Sequence, residues 1–235
     1  MGCAIEMAVA VEKVDAAVVA NDIATRIRSL RSAKTEPVRA VRREFSKRLS
    51  KSPAAFVIEV ALWLLDNSSV DRFVAYELIQ HHAAAAASVS EKRLERLGRG
   101  IDSWGAVDCF ACFLSGPAWR EHQVPDRLIH QWALSKDRWW RRAALVSTVP
   151  LNSRARGGSG DTQRTLEVCR MLLEDRDDMV VKAMSWALRE LSKRDATAVR
   201  RFLDEHHDLV AARVAREVRT KLTTGLKNPK VKAAR

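Results

Sequence analysis

Apolar residues recur along most of this chain at intervals of three and four, the spacing of one face of an α-helix. In residues 4–31, for example, Val19, Ile23, Ile27 and Leu30 follow this spacing. No long stretch alternates Val, Ile or Thr with polar residues, as a half-buried strand would. The pattern therefore predicts an all-α protein.

Breaks in the pattern mark the ends of the predicted helices. Thr35-Glu36-Pro37 starts a helix with Pro in its first turn, Asp137 is a predicted N-cap, and Gly116-Pro117 is interpreted as a break. Residues 151–160, rich in Gly, Ser and Arg, predict a flexible loop. The predicted helices cover 4–31, 35–49, 52–66, 69–87, 90–98, 103–114, 124–135, 137–149, 161–174, 178–193, 195–205 and 208–224.

The helices come in pairs with a near-regular period. The second helices of successive pairs are predicted to begin near residues 70, 103, 137, 178 and 208. A period of this length is typical of a HEAT-like helical-repeat solenoid, whose second helices line a concave surface. We expect a helical region at 1–33 that packs on the stack, a repeat domain at 34–224, and a disordered basic tail at 225–235.

Composition adds a polyanionic partner to this picture. The 235 residues are 47% hydrophobic and 30% charged, with a formal net charge of +12. Such a basic protein commonly binds nucleic acid, although a solubilising surface is the alternative explanation. Residues 26–51 hold ten Lys or Arg, and residues 213–235 hold eight. We therefore expect the concave face to be basic.

The remaining composition predicts neither a membrane protein nor a disulfide scaffold. No stretch approaches the roughly 18–20 apolar residues that span a bilayer. Cys109 and Cys112 form a C-x-x-C pair without a second pair or a nearby His cluster, so we interpret them as buried thiols rather than metal ligands. We expect no metal, no cofactor and a cytoplasmic location, with association to the nucleoid through DNA.

Four residues carry the candidate chemistry: Trp104, Asp108, Arg142 and Trp186. They lie at similar offsets in three successive second helices, so they are predicted to converge on one face. An acid among apolar neighbours, as Asp108 is, costs free energy unless it is paired or functional. Aromatic faces attract cations. The alternative is that both tryptophans pack in the core and that Arg142 belongs to a solvated basic surface.

Five segments, in order, resemble one known family. They are Val38-Arg39-Ala40-Val41-Arg42-Arg43-Glu44-Phe45, Asp71-Arg72-Phe73-Val74-Ala75-Tyr76-Glu77-Leu78, Asp102-Ser103-Trp104 with Asp108, Trp139-Trp140-Arg141-Arg142-Ala143-Ala144-Leu145, and Trp186-Ala187-Leu188-Arg189-Glu190. Over roughly residues 35–215 the chain resembles the AlkD-type DNA alkylation repair proteins, which are HEAT-like-repeat DNA glycosylases.

The resemblance implies excision of positively charged N3- or N7-alkylated purines from double-stranded DNA, by hydrolysis of the N-glycosidic bond and without a base pocket. It assigns the catalytic carboxylate to Asp108 and the sugar contacts to Trp104 and Trp186. It assigns a grip on the DNA backbone to Arg142, with the adjacent Arg141 as the alternative. Further cations are expected to bind DNA: Arg39, Arg42, Arg43, Lys47 and Arg189.

Two alternatives stay open at this point. A HEAT-like protein of this kind can bind DNA, or serve as a scaffold, without any catalysis. The range of alkyl adducts is also open. We expect a monomer, as is common for solenoids of this length.

Overall fold

The computed structural model describes residues 15–32 and 34–227, and this part of the chain contains helices and no strands. The all-α prediction is therefore confirmed. The α-helices are α1 Ala16–Arg28, α2 Thr35–Arg48, α3 Ala54–Asn67, α4 Phe73–Gln80, α5 Ala83–Ala87, α6 Glu91–Gly98, α7 Trp104–Phe110, α8 Gly116–Arg120, α9 Asp126–Ala133, α10 Arg138–Ser147, α11 Val149–Asn152, α12 Thr162–Met171, α13 Asp178–Leu191, α14 Ala196–Glu205 and α15 Ala212–Thr224.

Aspartate side chains begin several of these helices. The predicted cap Asp137 is confirmed, because its Oδ1 accepts a hydrogen bond from the amide of Trp139 at 2.8 Å. Asp177 and Asp195 accept equivalent bonds, at 2.8 and 2.9 Å, from amides in the first turns of α13 and α14. Each cap satisfies an amide that the first helical turn leaves without a partner.

One row of helices carries the candidate site, and we call it the central row: α4, α7, α10, α13 and α15. Within it α7 packs against α4 and α10, and α13 packs against α10 and α15. These helices begin at Phe73, Trp104, Arg138, Asp178 and Ala212, close to the predicted starts of the second helices. Other helices pack against this row; among them, α9 and α12 contact each other and α10.

The first described helix packs on its neighbours. α1 contacts α2 and α3 and buries Val19, Ala20 and Ile23. The predicted helix at 4–31 therefore has a described part only from Ala16 onwards. Residues 4–14 of that helix, residues 1–14 of the predicted N-terminal region, and residues 228–235 of the predicted tail lie outside the described residues.

The predicted single helix at 69–87 is wrong, because the chain breaks into α4 and α5 at His82. The His82 ring begins α5: its Nδ1 accepts from the amide of Ala85 at 3.0 Å, and its Nε2 donates to the carbonyl of Ser52 at 3.0 Å. Apolar spacing continues across the break, so the pattern alone did not reveal it. The hydrogen bond from the His82 ring to Ser52, thirty positions away in the chain, is a tertiary contact that helps to fix the chain at this break.

The predicted break at Gly116-Pro117 is also wrong. A π-helical turn, Ala111–Ser115, joins α7 directly to α8, and Pro117 lies in the first turn of α8, where a missing amide proton costs little. Glycine at position 116 allows the start of α8 to pack closely against Pro150 and the end of α10. A β-carbon there would lie 2.6 Å from Pro150 Cγ and 2.7 Å from the Ser147 carbonyl oxygen.

The segment 151–160 is held by other parts of the molecule and is not the free loop that its composition predicted. Leu151 and Asn152 end α11 and are buried. Arg194 donates from Nε to the carbonyl of Asn152 at 2.7 Å and from Nη2 to that of Gly158 at 2.6 Å. Arg120 donates to the carbonyl of Arg156.

Candidate active site

Helix α7 presents an indole and a carboxylate on the same face. Trp104 and Asp108 are separated by one helical turn, so their side chains are neighbours on the helix surface. Ser103 caps this helix through a hydrogen bond from the amide of Ala106 at 3.4 Å. Trp104 is 63% exposed, which is unusual for so large an apolar side chain and contradicts the alternative that it packs in the core.

A bidentate ion pair joins Asp108 to Arg142 of α10. Arg142 donates from Nε to one Asp108 oxygen and from Nη2 to the other, both at 2.9 Å. Its third nitrogen, Nη1, donates to the carbonyl of Met179 at 2.6 Å. The fork fixes the plane of the carboxylate, as paired Arg–carboxylate hydrogen bonds do.

Arg142 therefore lies in a different environment from the one its predicted role implies. The residue is only 5% exposed, and each of its three nitrogens already has a protein partner. The Asp108 side chain retains 18% of its exposure, so the carboxylate is the more accessible partner of the pair. The geometry favours Arg142 as the residue that holds Asp108.

Two opposing influences act on the ionisation of Asp108. Burial raises the pKa of the Asp108 carboxyl above its ordinary value, whereas the hydrogen bonds and charge of Arg142 act to lower it. Burial dominates, so the pKa lies above the ordinary value. Without Arg142, the pKa of the Asp108 carboxyl would rise further, because the main opposition to the effect of burial would be lost.

An open cleft of about 440 Å³ lies beside this pair on the faces of α7, α10, α13 and α15. We call it the tryptophan cleft; its lining is Trp104, Arg142, Met179, Lys182, Trp186, Arg189, Arg213 and Lys227. Two indoles and five cationic side chains thus border one concavity. The structure brings Trp104, Arg142, Trp186 and the predicted DNA ligand Arg189 together here, with Asp108 attached through Arg142.

Three cations of this cleft were not singled out from the sequence. Lys182 lies one helical turn before Trp186 on α13, so the helical spacing contained a usable signal for it. Arg213 and Lys227 were only part of a basic stretch. Their position follows from the packing of α15 on α13, which local sequence does not specify.

The basic residues of α2 divide into accessible and buried ones. Arg43 and Lys47 are exposed, and Arg39 is partly exposed. Arg42 is only 6% exposed, and its Nε donates to Glu77 at 2.9 Å, an acid that is itself 3% exposed. The predicted DNA contact of Arg42 is therefore corrected: its guanidinium neutralises a buried carboxylate and is not available to a duplex.

Arg141, the alternative to Arg142, is also occupied. Its Nε donates to Asp175 at 2.6 Å, and its Nη1 donates to the carbonyls of Ser135 at 3.0 Å and Lys136 at 2.9 Å. These bonds connect the start of α10 with the loop before it and with the loop before α13. The two adjacent arginines thus each hold an aspartate, but only Arg142 lines the tryptophan cleft.

Cys112 is buried and Cys109 is partly buried, which disfavours the reactive thiolate form of both. Burial raises the pKa of the Cys109 thiol to about 11 and that of Cys112 to about 12. Over residues 15–32 and 34–227, no group of three or more His, Cys, Asp or Glu side chains has the arrangement of a metal site. No helix in the same part of the chain is long and apolar enough to cross a bilayer.

The fold and the cleft define a class of protein. It is all-helical, and its central row of helices forms an open cleft with two tryptophans, several cations and, bound to Arg142, the carboxylate of Asp108. Comparison with known families narrows this class. The family model described as DNA alkylation repair enzyme matches residues 15–222, and the chain belongs to that family. It is accordingly an enzyme of DNA repair that acts on alkylated DNA. No curated protein matches the chain.

Proposed function

We propose that this protein is a DNA glycosylase that excises positively charged N3- and N7-alkylated purines from double-stranded DNA. The observation that carries the proposal is the Asp108 carboxylate, oriented by Arg142 at the side of a cleft that contains Trp104 and Trp186. We further propose that the central row forms a HEAT-like solenoid and that its concave, basic face receives the duplex.

The chemistry needs only a well-placed negative charge. A purine alkylated at N3 or N7 is already cationic, so it leaves as a neutral base without a general acid. Positive charge then develops on the deoxyribose, as in the oxocarbenium-like transition state of glycoside hydrolysis. Asp108 stabilises that charge and orients the attacking water, and the two indole faces stabilise it further.

In this scheme Arg142 is a positioning residue. Its fork prevents the carboxylate from rotating and favours its ionised form against the effect of burial, whereas the burial of Arg142 itself keeps it from a phosphate. The phosphate contacts then belong to the other cations of the cleft, Lys182, Arg189, Arg213 and Lys227. Arg43 and Lys47 on α2 are exposed, and we propose them as further DNA contacts.

The open form of the cleft bears on specificity. A snug pocket would select a base by its shape and hydrogen bonds. A surface lined by indoles and cations has no such selection, so the lesion's own charge and lability decide which base leaves. We expect cationic lesions to be excised far faster than neutral alkyl adducts, and equal rates for both would contradict the mechanism.

The deciding experiment measures base release from a duplex that contains N7-methylguanine. We expect release by the wild type and a loss of roughly 100- to 1,000-fold for Asp108→Asn, the range typical when one electrostatic contact to the transition state is removed. Asp175→Asn is the matched control, because Asp175 pairs with the neighbouring Arg141 at 2.6 Å and, unlike Arg142, Arg141 does not line the cleft. It should retain most of the activity.

The second candidate is a DNA-binding protein without catalysis. One observation favours it: Arg142 already neutralises Asp108, as in an ordinary structural ion pair. Binding to the methylated duplex without base release by the wild type would support this candidate and remove the glycosylase. In either case we propose a monomer that works on DNA in the cytoplasm.

A further inference from the structure

Glu217 of α15 connects two arginines of the tryptophan cleft. Its Oε2 accepts a hydrogen bond from Ser185 Oγ at 2.6 Å, and its Oε1 accepts from Arg213 Nε at 3.0 Å. The Glu217 side chain is 13% exposed and Ser185 is fully buried. The carboxylate therefore lies behind the cleft lining and contributes to the cleft through the groups it holds.

Ser185 extends this connection to Arg189. The Ser185 hydroxyl donates its hydrogen bond to Glu217, so the oxygen lone pairs are available as acceptors. One of them accepts a hydrogen bond from Arg189 Nε at 3.2 Å. The Arg189 side chain is 15% exposed, and its two terminal nitrogens have no hydrogen-bond partner among the residues described. A largely buried guanidinium with two unused donors on a cleft surface is suited to bind an anion.

Arg213 approaches the same place from α15. Glu217 engages its Nε, and Asp178 accepts from its Nη1 at 2.9 Å, whereas Nη2 has no partner within the described part of the chain. Glu217 thus lies behind both guanidinium groups. Its negative charge offsets the repulsion between them, so the two cations can be held side by side.

We propose that Glu217, with Ser185, is a positioning residue that orients Arg189 and Arg213 as one binding site for a backbone phosphodiester on the Trp186 side of the cleft. The identity of the anion as a DNA phosphate rests on the proposed function. The planar guanidinium forks match phosphate oxygens, and the site joins the last two helices of the central row into one DNA-binding element.

The test uses a change for which bulk charge and positioning predict opposite results. Glu217→Gln removes a negative charge, so electrostatic attraction alone would tighten binding to a polyanion. The positioning role predicts weaker binding of the full-length protein to an undamaged fluorescent duplex, by about tenfold, the equivalent of one hydrogen bond to a charged group.

Glu205→Gln on α14 is the matched control, since Glu205 is exposed and does not line the cleft. The Glu205→Gln variant should bind the duplex as tightly as the wild type or more tightly. Unchanged or tighter binding by Glu217→Gln would overturn the proposal.

A double-mutant cycle keeps the proposal testable if Glu217→Gln does not fold. Ser185→Ala preserves the net charge and should weaken binding to the duplex, but it should have no further effect in an Arg189→Gln background, because Ser185 acts through Arg189. Additive losses of binding free energy in the double mutant would overturn the role of Ser185 in positioning Arg189. Both measurements use undamaged DNA, so they are independent of base release: a wild type that releases no base would reject the glycosylase and leave this site to be judged by binding alone.

Discussion

At the scale of single residues, two buried arginine–carboxylate pairs illustrate how similar contacts differ in meaning. Arg42–Glu77 and Arg142–Asp108 are both close ion pairs with a buried arginine. Glu77 is 4% exposed at its side chain, whereas Asp108 is 18% exposed. Asp108 is therefore the more exposed of the two carboxylates, and of the two arginines only Arg142 lines the cleft.

Trp104 provides a prediction at this scale. Because the side chain is 63% exposed, we expect Trp104→Ala to change the free energy of unfolding by no more than about 0.5 kcal/mol. It should nevertheless lower the rate of base release by about tenfold, since a cation–aromatic contact is worth roughly 0.5–2 kcal/mol. Urea unfolding and base release from methylated duplex measure the two effects.

Trp132 is the control for that prediction. It is 5% exposed and its ring lies 4.8 Å from that of Trp140, so Trp132→Ala should cost about 3–5 kcal/mol of stability. A loss of stability in Trp104→Ala comparable to that of Trp132→Ala would mean that Trp104 is a packing residue and would remove it from the site.

At the scale of elements, the junction from α7 to α8 keeps the site helix in place. The π-helical turn carries the chain from the Asp108 helix onto Gly116 and Pro117, and Gly116 lies against Pro150 and the Ser147 carbonyl at the end of α10. Helices α7 and α10 supply the two halves of the Asp108–Arg142 pair. Close contact at this junction therefore supports the position of the pair.

Two glycine substitutions test this role. Gly116→Ala places a β-carbon 2.6 Å from Pro150 and 2.7 Å from a backbone oxygen, so we expect it to reduce stability by about 1–3 kcal/mol. Gly105→Ala, in α7, meets no atom within 4 Å and should be neutral or stabilising by up to about 1 kcal/mol. Chemical denaturation compares them, and equal stability of the two variants would contradict the tight junction.

At the scale of the whole molecule, charge is distributed so that cations from distant parts of the chain share one surface. Lys182 and Arg189 come from α13, and Arg213 and Lys227 come from α15 and the residues just after it. The formal net charge of +12 adds a long-range attraction to any polyanion. DNA binding should therefore depend strongly on salt.

We expect the logarithm of the association constant to fall with the logarithm of salt concentration with a slope of about 3, because each phosphate contact contributes about 0.9 and the four cleft cations other than Arg142 are proposed to contact three phosphates, one of them shared by Arg189 and Arg213. Arg213→Gln should reduce this slope by about 1. Arg201→Gln, an equal change of charge on α14 away from the cleft, should leave it unchanged. A flat salt titration of the wild type would contradict phosphate-dominated binding.

The sequence by itself determined the helical class and the starts of the second helices, because apolar spacing and helix caps are local signals that survive folding. It predicted the convergence of Trp104, Arg142 and Trp186 through the helical repeat, and the packing of α7, α10 and α13 brings these three residues to one cleft. Only the tertiary structure decided that Arg142 holds Asp108, that Arg42 is buried with Glu77, and that α15 brings Arg213 to the cleft. Those facts depend on which helices pack together, and a charged side chain has the same letter in the sequence whether it faces water or a buried partner.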